Sequence, residues 1–254
     1  MAMRDNAILD LVRDRHFVRI EWLAAHFGVA PQTIRRDVRE LCDQGLLRRH
    51  YGGVGPMDFA SVNLDFDRRR LLHRVERKRI AATVAGMIPD GSALTMGIGT
   101  TPCHVAEALR DHHDLLVITC NLRVAEAFAQ SRDCRIVLPS GEVRNRHRDI
   151  NLAGAAAQCA DYRVDFAIFG VGGIDQDGSL LDFDSQEVDL RRSMIANSRE
   201  SILVADQSKI GRAAPARGGM IDSVDHLVTD THLPATLSAR VADAGVRHVV
   251  ATDE

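Results

Sequence analysis

The sequence predicts an α/β protein in which an N-terminal winged helix-turn-helix precedes a mostly parallel α/β domain. Three short amphipathic helices and a basic hairpin follow one another in residues 1–54, with a short glycine turn before the third helix. From Ala93 onward, seven short apolar runs alternate with helical stretches, which is typical of a mostly parallel sheet. A length of 254 residues fits one large or two modest domains.

The composition is that of an ordinary globular protein, which excludes several other classes. The chain is 45% hydrophobic and 26% charged, so we expect neither a disordered nor a collagen-like protein. Its five cysteines show no C-x-x-C spacing, which argues against a zinc ribbon or a disulfide framework and fits a reducing compartment. No apolar run approaches the roughly 18 residues of a membrane span, and the first residues lack a signal-peptide pattern. We therefore expect a cytoplasmic protein without a membrane partner.

The formal net charge of −3 hides an asymmetry between the two parts of the chain. Residues 1–80 hold sixteen Lys and Arg against eleven Asp and Glu, a balance of +5, and the remainder holds sixteen against twenty-four, a balance of −8. A basic front suggests a polyanionic partner, although a solvated helix face gives the same count. Of the 32 basic residues, Lys78 and Lys209 alone are lysines.

The spacing of residues in the third predicted helix separates a buried face from an exposed one. Ile34, Val38 and Leu41 recur at i, i+4 and i+7 and are expected to face inward. Gly28 ends the preceding helix, and Pro31 suits the first position of the third. The side chains left pointing outward are Gln32, Thr33, Arg35, Arg36 and Arg39.

This outward face has the chemistry of a helix that reads nucleic acid. Side chains near the N-terminus of a helix in the major groove reach base edges, where Arg pairs with guanine and Gln with adenine. A basic hairpin follows, and its Arg48, Arg49 and His50 are expected to contact DNA as well. Taken alone, residues 32–38 could equally form a solvated surface helix. The turn before them and the hairpin after them favour binding to a double-stranded DNA operator.

Three segments are expected: a winged helix-turn-helix over residues 1–57, a linker over 58–75 and an α/β domain over 76–254. The linker is polar and poorly periodic until about Leu71, and it carries the run Arg68–Arg70. The apolar runs after it predict strands at Ala93–Met96, Leu115–Ile118, Arg135–Leu138, Asp165–Phe169, Ser201–Ala205, His226–Val228 and His248–Val250. The stretches between them predict helices that include Pro102–Leu109, Leu122–Gln130, Gly154–Tyr162, Glu187–Ser198 and Ala235–Ala244.

Polar or glycine-rich segments follow five of the predicted strands. In Gly97–Thr101, which precedes a helix, backbone N–H groups and threonine hydroxyls suit a phosphate. Taken alone this segment could be a plain tight turn, and it lacks the spacing of a dinucleotide or Walker loop. The other four segments are residues 119–121, 140–144, 170–173 and 206–209. Ligands of open α/β sheets bind beyond the carboxyl ends of the strands, so the five segments predict one site.

The N-terminal residues resemble a known family. The run PQTIRRDVRELCDQGLLRRHYGGV is similar, at nearly every position from Val29 to Val54, to the DNA-binding signature of the DeoR family of bacterial repressors. The resemblance implies a winged helix that binds operator DNA. Two positions depart from the family pattern, because Ala30 and Arg19 stand where serine-type caps usually begin the third and second helices. The loss of such a cap costs about 1 kcal/mol.

Residues from about Glu76 to Asp230 resemble the DeoR sensor domain, which is itself similar to sugar-phosphate isomerases. The segments GIDQDGSLLDFDSQEV, IANSRESILVADQSKIGR and VDHLVTD carry this resemblance. It implies a phosphorylated small-molecule effector, with Thr100 and Thr101 at the phosphate, Lys209 neutralising it, and other polar side chains reaching hydroxyls. The residues expected at the effector site are Gly99, Thr100, Thr101, Asn121, Ser140, Gly141, Arg144, Gly170, Gly173, Asp182, Glu187 and Lys209. The hydroxyl-binding members of this set are Asn121, Asp182 and Glu187.

Two positions in this pocket depart from the family pattern. Ser140 stands where the repressors usually have the first glycine of a Gly-Gly-Glu run, and Cys120 stands where they usually have the first asparagine of Thr-Asn-Asn. These departures bear on which effector is bound.

Several other residues are weaker candidates. His104, His112, His113 and His147 lack the spacing of metal ligands, so we expect solvated or core histidines and no metal site. A thiolate at Cys103, near a helix start, would be stabilised, but a buried small hydrophobe is the better expectation. In the last of the five strand-end segments, Asp206 and Lys209 could form a structural ion pair instead of lining a pocket.

Two functions of different classes fit these observations. The first is a DNA-binding transcriptional repressor of a carbohydrate or polyol catabolic operon, released by a phosphorylated effector and acting as a homodimer or homotetramer. The second is a sugar-phosphate isomerase or deaminase with an added N-terminal module. Such enzymes need a general base near the substrate carbon, and the related deaminases carry an Asp and a His where Gly170–Ile174 offers glycines and aliphatic residues. The sequence favours the repressor, with no catalytic residue and no cofactor. Its phosphate-type loops disfavour a third possibility, an activator or architectural protein without a ligand.

Overall fold

The chain forms two compact units, Met1–His73 and Arg74–Glu254. The structure is a computed structural model, and it describes residues 2–15, 17–50, 52–56, 66–129, 131 and 133–252. Within these residues no helix has the length and apolar character needed to cross a membrane.

The first unit combines short helices with a small antiparallel sheet. Its elements are α1 (Ala2–Arg15), β1 (Val18–Arg19), α2 (Ile20–Phe27), α3 (Pro31–Asp43), β2 (Leu47–His50), β3 (Gly53–Pro56) and α4 (Phe66–Leu71). The strands pair in the order β1-β3-β2, which confirms the predicted hairpin. As predicted, Gly28 ends α2, where its φ of 63° suits a residue without a Cβ, and Pro31 begins α3.

Helix α3 packs into the core of the first unit through one apolar face. Ile34, Val38 and Leu41 are each at most 2% exposed, which confirms the predicted inward face. They belong to one cluster with Ile8 and Val12 of α1. Because burying a side chain of this kind stabilises the fold by about 1.5–3 kcal/mol, this face holds the orientation of α3.

A buried carboxylate joins α1 to α3. Asp37 lies on the inward face of α3, is 1% exposed, and accepts a hydrogen bond of 2.7 Å from Nε of Arg4. This hydrogen bond raises the pKa of Arg4. A buried carboxylate needs such a partner because its charge is otherwise strongly disfavoured away from water.

Helix α4 lies within the segment that the sequence predicts as a linker. Its first residue, Phe66, is 1% exposed and anchors the helix, whereas residues 57–65 lie outside the described residues. The run Arg68–Arg70 is helical and not an irregular chain. The helix spans six residues, too few to show an apolar periodicity in the sequence.

The second unit is built around a seven-stranded sheet. Its helices are α5 (Arg74–Ala85), α6 (Thr100–Ala108), α7 (Leu122–Phe128), α8 (Leu152–Cys159), α9 (Ser185–Ala196) and α10 (Ala235–Asp243). Its strands are β4 (Ala93–Met96), β5 (Leu115–Thr119), β6 (Cys134–Val137), β7 (Val143–Arg144), β8 (Asp149–Ile150), β9 (Val164–Phe169), β10 (Gly173–Ile174), β11 (Ser179–Asp182), β12 (Ser198–Ala205), β13 (Ala216–Met220), β14 (His226–Thr229) and β15 (Arg247–Val250).

All seven strands predicted from apolar runs are present and lie in one parallel sheet. Their order is β15-β14-β12-β9-β4-β5-β6, and each neighbouring pair is parallel. The central strand β4 places Leu94 between Phe166 of β9 and Val117 of β5. The parallel direction brings the carboxyl ends of all seven strands to one edge of the sheet, as the sequence predicts.

Two smaller antiparallel pieces lie outside the sequence prediction. Strands β10, β11 and β13 form a three-stranded sheet, and β7 pairs with β8 in a hairpin. Several of these strands are two residues long, and they contain glycines such as Gly173 and Gly218. They therefore show neither the length nor the alternation that identifies a strand in a sequence.

Helices cover the parallel sheet, as a buried parallel sheet requires. Helix α5 packs along α6, and α8 packs along α9. One core cluster joins α8, α9 and α10 to the sheet through Ala167, Phe169, Leu203 and Leu227.

Replacing Ala30 by serine is expected to stabilise the first unit. Ala30 is the N-cap of α3, has an extended backbone at φ −64° and ψ 144°, and offers no side-chain acceptor to the first turn. A serine hydroxyl there can accept a backbone hydrogen bond, so we expect Ala30→Ser to raise the free energy of unfolding by about 1 kcal/mol.

Thermal unfolding of the full chain measures this effect. For a unit of this size, about 1 kcal/mol corresponds to a rise of roughly 4–8 °C in Tm. Ala25→Ser, at an exposed position inside α2, is the matched control and should not raise Tm. Equal melting temperatures for Ala30→Ser and the parent would contradict the capping argument.

Candidate functional site

The outward face of α3 displays the polar side chains that the sequence predicts there. Gln32, Arg35, Arg36 and Arg39 are exposed, and Thr33 is half-buried. The guanidinium group of Arg35 lies 3.6 Å from the carboxylate of Glu21, and that of Arg36 lies 3.8 Å from the carboxylate of Asp37. Both guanidinium groups are more than half exposed and lie at the long end of ion-pair distances, so they can change partners when a polyanion approaches.

The hairpin adds further cations to the first unit. Arg48 and Arg49 of β2 are exposed and lie opposite Gly55 and Val54 of β3. His50 also lies in β2, but its side chain falls outside the described residues. With α3, this hairpin forms a surface suited to the phosphates and base edges of DNA.

At the carboxyl edge of the parallel sheet, the loop after β4 leaves the start of α6 open to an anion. Gly99, the N-cap of α6, has a φ of 110° and provides no side-chain cap. Thr100 and Thr101 form the first turn and are buried. By contrast, Asn121, Asn151 and Asp184 each cap their own helix through a side-chain oxygen. The backbone N–H groups at the start of α6 therefore suit an anion.

Asn121 holds this loop in place. Its Nδ2 donates hydrogen bonds to the carbonyl oxygens of Gly97 at 3.4 Å and Gly99 at 3.2 Å, and its Oδ1 accepts from the backbone of Arg123. The residue is 1% exposed. The sequence predicts that Asn121 reaches effector hydroxyls. In the structure its amide contacts the loop Gly97–Gly99, which is called the anion loop below.

The cysteines near this loop are buried thiols. Cys103 Sγ donates to the carbonyl oxygen of Gly99 at 3.0 Å and accepts from Nδ2 of Asn121 at 3.3 Å. Burial raises the pKa of the Cys120 thiol, and it raises that of Cys159 to about 11. Because only a thiolate is a strong nucleophile, the thiols of Cys120 and Cys159 are unreactive near neutral pH.

The glycine-rich loop after β9 packs tightly against its neighbours. An added Cβ at Gly170 would lie 3.8 Å from Cδ of Pro102 in α6, which is ordinary contact. The backbone N–H of Gly172 donates to Oδ1 of Asp182 at 2.8 Å. A Cβ at Gly173 would overlap the carbonyl oxygen of Arg212. Gly173 is therefore needed for the close approach of these two backbone segments.

Asp182 belongs to a buried ion pair. Its Oδ2 accepts a hydrogen bond from Nη1 of Arg191, and both residues are at most 5% exposed. Burial raises the pKa of Asp182, while Arg191 and Lys209 oppose the shift. The influence of Lys209 on this carboxyl indicates that the two predicted site residues lie near each other.

Asp206 also has an arginine partner. Its Oδ2 accepts a hydrogen bond of 2.8 Å from Nε of Arg77, and its Oδ1 accepts one from the backbone of Ser208. The sequence leaves open whether Asp206 is structural or lines a pocket, and the structure gives its carboxylate a structural partner in Arg77. Lys209 lies at the end of the short 3₁₀ turn that follows and is half-buried.

Arg144 and Glu187 form a second charged group at the same edge. Arg144 makes two hydrogen bonds, of 2.7 and 2.8 Å, to the carboxylate of buried Asp149, and its guanidinium lies 3.9 Å from Glu187 and 3.5 Å from Asp184. The backbone of Asp149 forms an antiparallel β-bridge with that of Asn121. Because the Asn121 side chain contacts the anion loop, this bridge connects the charged group to that loop. The structure therefore brings together Arg144 and Glu187, as predicted.

Ser140 and Gly141 lie beyond β6, near the edge of the sheet. Both are exposed, and Gly141, with a φ of 142°, packs against the N-cap residue Asn151 of α8. Within the described part of the chain, the Ser140 hydroxyl makes no hydrogen bond to the loop before α6.

Three arginines of the second unit make contacts that the sequence does not predict. Arg77 and Arg191 form the buried pairs described above, and Arg212 donates a hydrogen bond of 3.2 Å to the carbonyl oxygen of Gly172. Nothing in an arginine-rich sequence distinguishes these residues. The available signal is that Arg77 falls on the apolar face that includes Ile80, Ala81 and Val84 of α5.

The described residues contain no group of three or more His, Cys, Asp or Glu side chains that could hold a metal ion. His104 pairs with Glu107 and His113 with Asp133, each at 3.1 Å. His112 Nε2 lies within hydrogen-bond distance of the carbonyl oxygen of Ala85, the last residue of α5, and of that of Ile88, which follows the helix.

The comparison with protein families identifies the class of this protein. Residues 4–58 match the DeoR-like helix-turn-helix domain, and residues 72–231 match the DeoR C terminal sensor domain. The chain belongs to the DeoR family. It therefore combines a DNA-binding domain with a small-molecule sensor domain.

Individual relatives narrow the class to transcriptional repressors. The chain is 43% identical to the glycerol-3-phosphate regulon repressor of Escherichia coli (strain K12), over 95% of this chain and 96% of that protein. It is 37% identical to the HTH-type transcriptional repressor CsqR of the same strain, over 99% and 96%. Ribose 5-phosphate isomerase from Plasmodium falciparum has a TM-score of 0.38 and 14% identity, over 53% of this chain and 52% of that chain.

These relatives decide between the two functions that the sequence leaves open. The protein is a transcriptional repressor of the DeoR family and not an isomerase or deaminase with an added module. The turn at Gly170–Ile174 agrees, because it contains glycines and aliphatic residues and no acid–base side chain.

Replacing Gly173 by alanine is expected to destabilise the second unit. The new Cβ would overlap a backbone carbonyl oxygen, which cannot move aside as a flexible side chain could. Overpacking of this kind lowers the free energy of unfolding by about 1–3 kcal/mol. Urea unfolding of the variant and the parent measures this difference. Gly170→Ala is the matched control, since its Cβ would lie 3.5 Å from the nearest atom and fit without strain. Equal stability of the two variants would show that the strand-end loops are not packed as described.

Proposed function

We propose that this repressor binds a phosphorylated polyol or sugar at the carboxyl edge of its parallel sheet, and that binding releases it from its operator. The observation that carries the proposal is the open start of α6 behind Gly99, in the same sheet edge as the Lys209 turn. A phosphate carries nearly two negative charges near pH 7. It is best held by oriented backbone N–H donors together with a cation.

The two ends of the effector are proposed to contact different residues. The phosphate is placed at Gly99, Thr100 and Thr101, with Lys209 as its cation. The hydroxyl groups of the effector are proposed to face two charged groups, that of Asp182 and that of Arg144 with Glu187. Gly170 and Gly173 are proposed to line the same part of the site. Asn121 supports the anion loop through its amide, and Ser140 and Gly141 are proposed to lie at the rim of the effector site.

Glycerol 3-phosphate is the first candidate effector. The chain shares 43% identity with a repressor whose name refers to glycerol 3-phosphate, over nearly the full length of both proteins. The regulated genes are then proposed to belong to glycerol metabolism or to related carbohydrate and polyol catabolism. Other small phosphorylated polyols and sugars are the next candidates.

The remaining features of the proposal concern assembly and location. The proposed domains are residues 1–57, a linker over 58–75, and the sensor over 76–254. Because one winged helix buries too little surface for high specificity, we place two copies on half-sites about one helical turn, or a multiple of it, apart, in a homodimer or homotetramer. The protein is proposed to act in the cytoplasm.

Removing the Lys209 ammonium is expected to abolish the effector response. Lys209→Ala should leave folding and operator affinity nearly unchanged, because the side chain lies in the second unit. The parent should bind its operator about 5–150-fold more weakly when the effector is bound, the usual range of such coupling. The measurement is operator affinity titrated with glycerol 3-phosphate and other phosphorylated polyols and sugars.

Lys78→Ala is the matched control for Lys209→Ala. Lys78 is the other lysine of the chain and is exposed on α5, so its loss removes an equal charge away from the proposed site. It should keep the parent response. Equal responses of Lys209→Ala and the parent would remove Lys209 from the site. No response of the parent to any phosphorylated ligand would overturn the effector proposal.

The arginines of α3 and of the hairpin are expected to contribute differently to operator binding. Arg35→Ala or Arg36→Ala should cost about 1–3 kcal/mol of binding and relax the sequence preference, because such arginines contact base edges. Arg48→Ala should weaken binding to all sequences alike and reduce its salt dependence, because it contacts phosphate.

Fluorescence anisotropy with operator and scrambled DNA at several salt concentrations separates these effects. Arg192→Ala, an exposed arginine of α9, is the control and should bind like the parent. If both Arg35→Ala and Arg36→Ala kept the parent affinity and sequence preference, α3 would not be the reading helix.

A further inference from the structure

We propose that the buried ion pair between Arg77 and Asp206 positions the Lys209 loop, defined here as residues 206–212, and couples effector binding to helix α5. The inference rests on the proposed function, since it assigns the route by which the effector site acts on the rest of the chain. Arg77 is a positioning residue in this scheme and does not contact the effector.

The ion pair joins two segments that are far apart in sequence. Nε of Arg77 lies 2.8 Å from Oδ2 of Asp206 across a separation of 129 residues, and the side chains are 3% and 0% exposed. The other carboxylate oxygen accepts hydrogen bonds from the backbone and the hydroxyl of Ser208. One carboxylate therefore shapes the turn that ends at Lys209 and also holds α5.

Further contacts fix the Lys209 loop at both ends. The backbone N–H of Gln207 donates to Oδ1 of Asp230 at 2.7 Å, and that of Gly211 donates to the carbonyl oxygen of Ile174 at 2.8 Å. Arg212 reaches the carbonyl oxygen of Gly172, as described above. These contacts tie the loop to strand ends, whereas the Arg77 contact ties it to a helix.

Helix α5 also packs along α6, the helix whose start forms the proposed phosphate site. It therefore contacts one side of the proposed site through α6 and the other side through Arg77. At its C-terminal end, the carbonyl oxygens of Ala85 and Ile88 lie 3.2 and 3.1 Å from Nε2 of His112. A ligand that draws the start of α6 and the Lys209 loop together must therefore act on α5.

The position of α5 in the chain gives this contact its regulatory meaning. The helix begins at Arg74, the first residue of the second unit, directly after His73, the last residue of the first. Arg77 lies in the first turn of the helix. A shift of α5 is therefore passed covalently to the segment that joins the sensor to the DNA-binding unit.

The charges at this place explain why an anion would disturb the ion pair. Burial lowers the pKa of Arg212, Asp206 raises it and Arg77 lowers it, so these three charges share one neighbourhood. A phosphate bound at Lys209 repels the carboxylate of Asp206 and attracts the guanidinium of Arg77. Such interactions are strong away from water. The effector therefore favours a position of α5 in which the Arg77–Asp206 pair is weakened over the position seen here, in which the pair is intact.

The test uses Arg77→Met in the full chain, with Val84→Ala as the matched control. Val84 is fully buried on the same helix, two turns after Arg77, so its truncation also perturbs α5 without touching Asp206. Three quantities are measured for each protein: operator affinity alone, glycerol 3-phosphate affinity without DNA by calorimetry, and operator affinity with the effector at saturation. The ratio of the two operator affinities is the coupling factor.

We expect the parent and Val84→Ala to share one coupling factor, within the 5–150-fold range typical of allosteric proteins. For Arg77→Met we expect the factor to fall below about 2-fold, in the folded protein and with effector still bound. Arg77→Lys keeps the charge and should restore part of the coupling. An unchanged factor in Arg77→Met would overturn the inference, because a merely structural ion pair would change stability and leave the coupling intact.

Hydrogen exchange in the parent provides a measurement that needs no variant. Glycerol 3-phosphate should change the exchange of residues 97–101, 206–212 and 74–85 together. Changes at the first two segments with α5 unaffected would overturn this inference and leave the proposed function standing. No change at any segment, with no release from DNA by any phosphorylated ligand, would overturn the proposed function and the inference with it.

Discussion

The parallel direction of the central strands is the constraint on which the rest of the sensor depends. Because β4, β5, β9 and β12 run the same way, the loops that follow them end at one edge of the sheet. Gly99, Asn121, Gly170 and Asp206 are therefore neighbours in the fold although they lie far apart in sequence. Contacts between the loops then fix this edge, such as that of the Asn121 amide with the carbonyl oxygen of Gly99. A ligand site at this edge follows from topology before any particular side chain is considered.

Much of this fold can be predicted from the sequence, and the reason is the strength of the apolar pattern. Strands that are buried on both faces consist of continuous apolar runs, so the sequence predicts all seven strands of the parallel sheet. The bounds of β4 agree with the prediction. The inward face of α3 follows equally well from the spacing of Ile34, Val38 and Leu41. The antiparallel strands β10, β11 and β13 could not be predicted, because β10 spans two residues, glycines interrupt β13, and none of the three shows a regular alternation. Gly173 is required by the close approach of the Arg212 backbone, and Gly218 by the close approach of the Arg191 and Val188 side chains, and neither residue favours a strand.

The candidate site is predictable in its location but not in its internal contacts. Glycine and polar residues after successive strands indicate the loops around Gly99, Gly170 and Lys209. The roles of individual side chains depend on partners that no local pattern reveals, such as the pairing of Asp206 with Arg77 across 129 residues. Asn121 shows the same limit, since the sequence assigns it to a ligand while the fold engages its amide with loop carbonyls. Buried charges need partners, and at this sheet edge the carboxylates of Asp149, Asp182 and Asp206 are each paired with an arginine.

At the start of α6, a side-chain cap that stabilises the helix and the proposed anion would compete for the same backbone N–H groups. Asn121, Asn151 and Asp184 cap α7, α8 and α9 through a side-chain oxygen, whereas α2, α3, α6 and α10 begin without a side-chain cap. Gly99 leaves the start of α6 without one, although a cap there would stabilise the helix by about 1 kcal/mol. A side-chain cap would occupy the same N–H groups that an anion needs. In the proposed site, a bound anion would take the place of the missing cap and stabilise α6, and α5, which packs along α6, would carry that effect toward the segment that joins the two units.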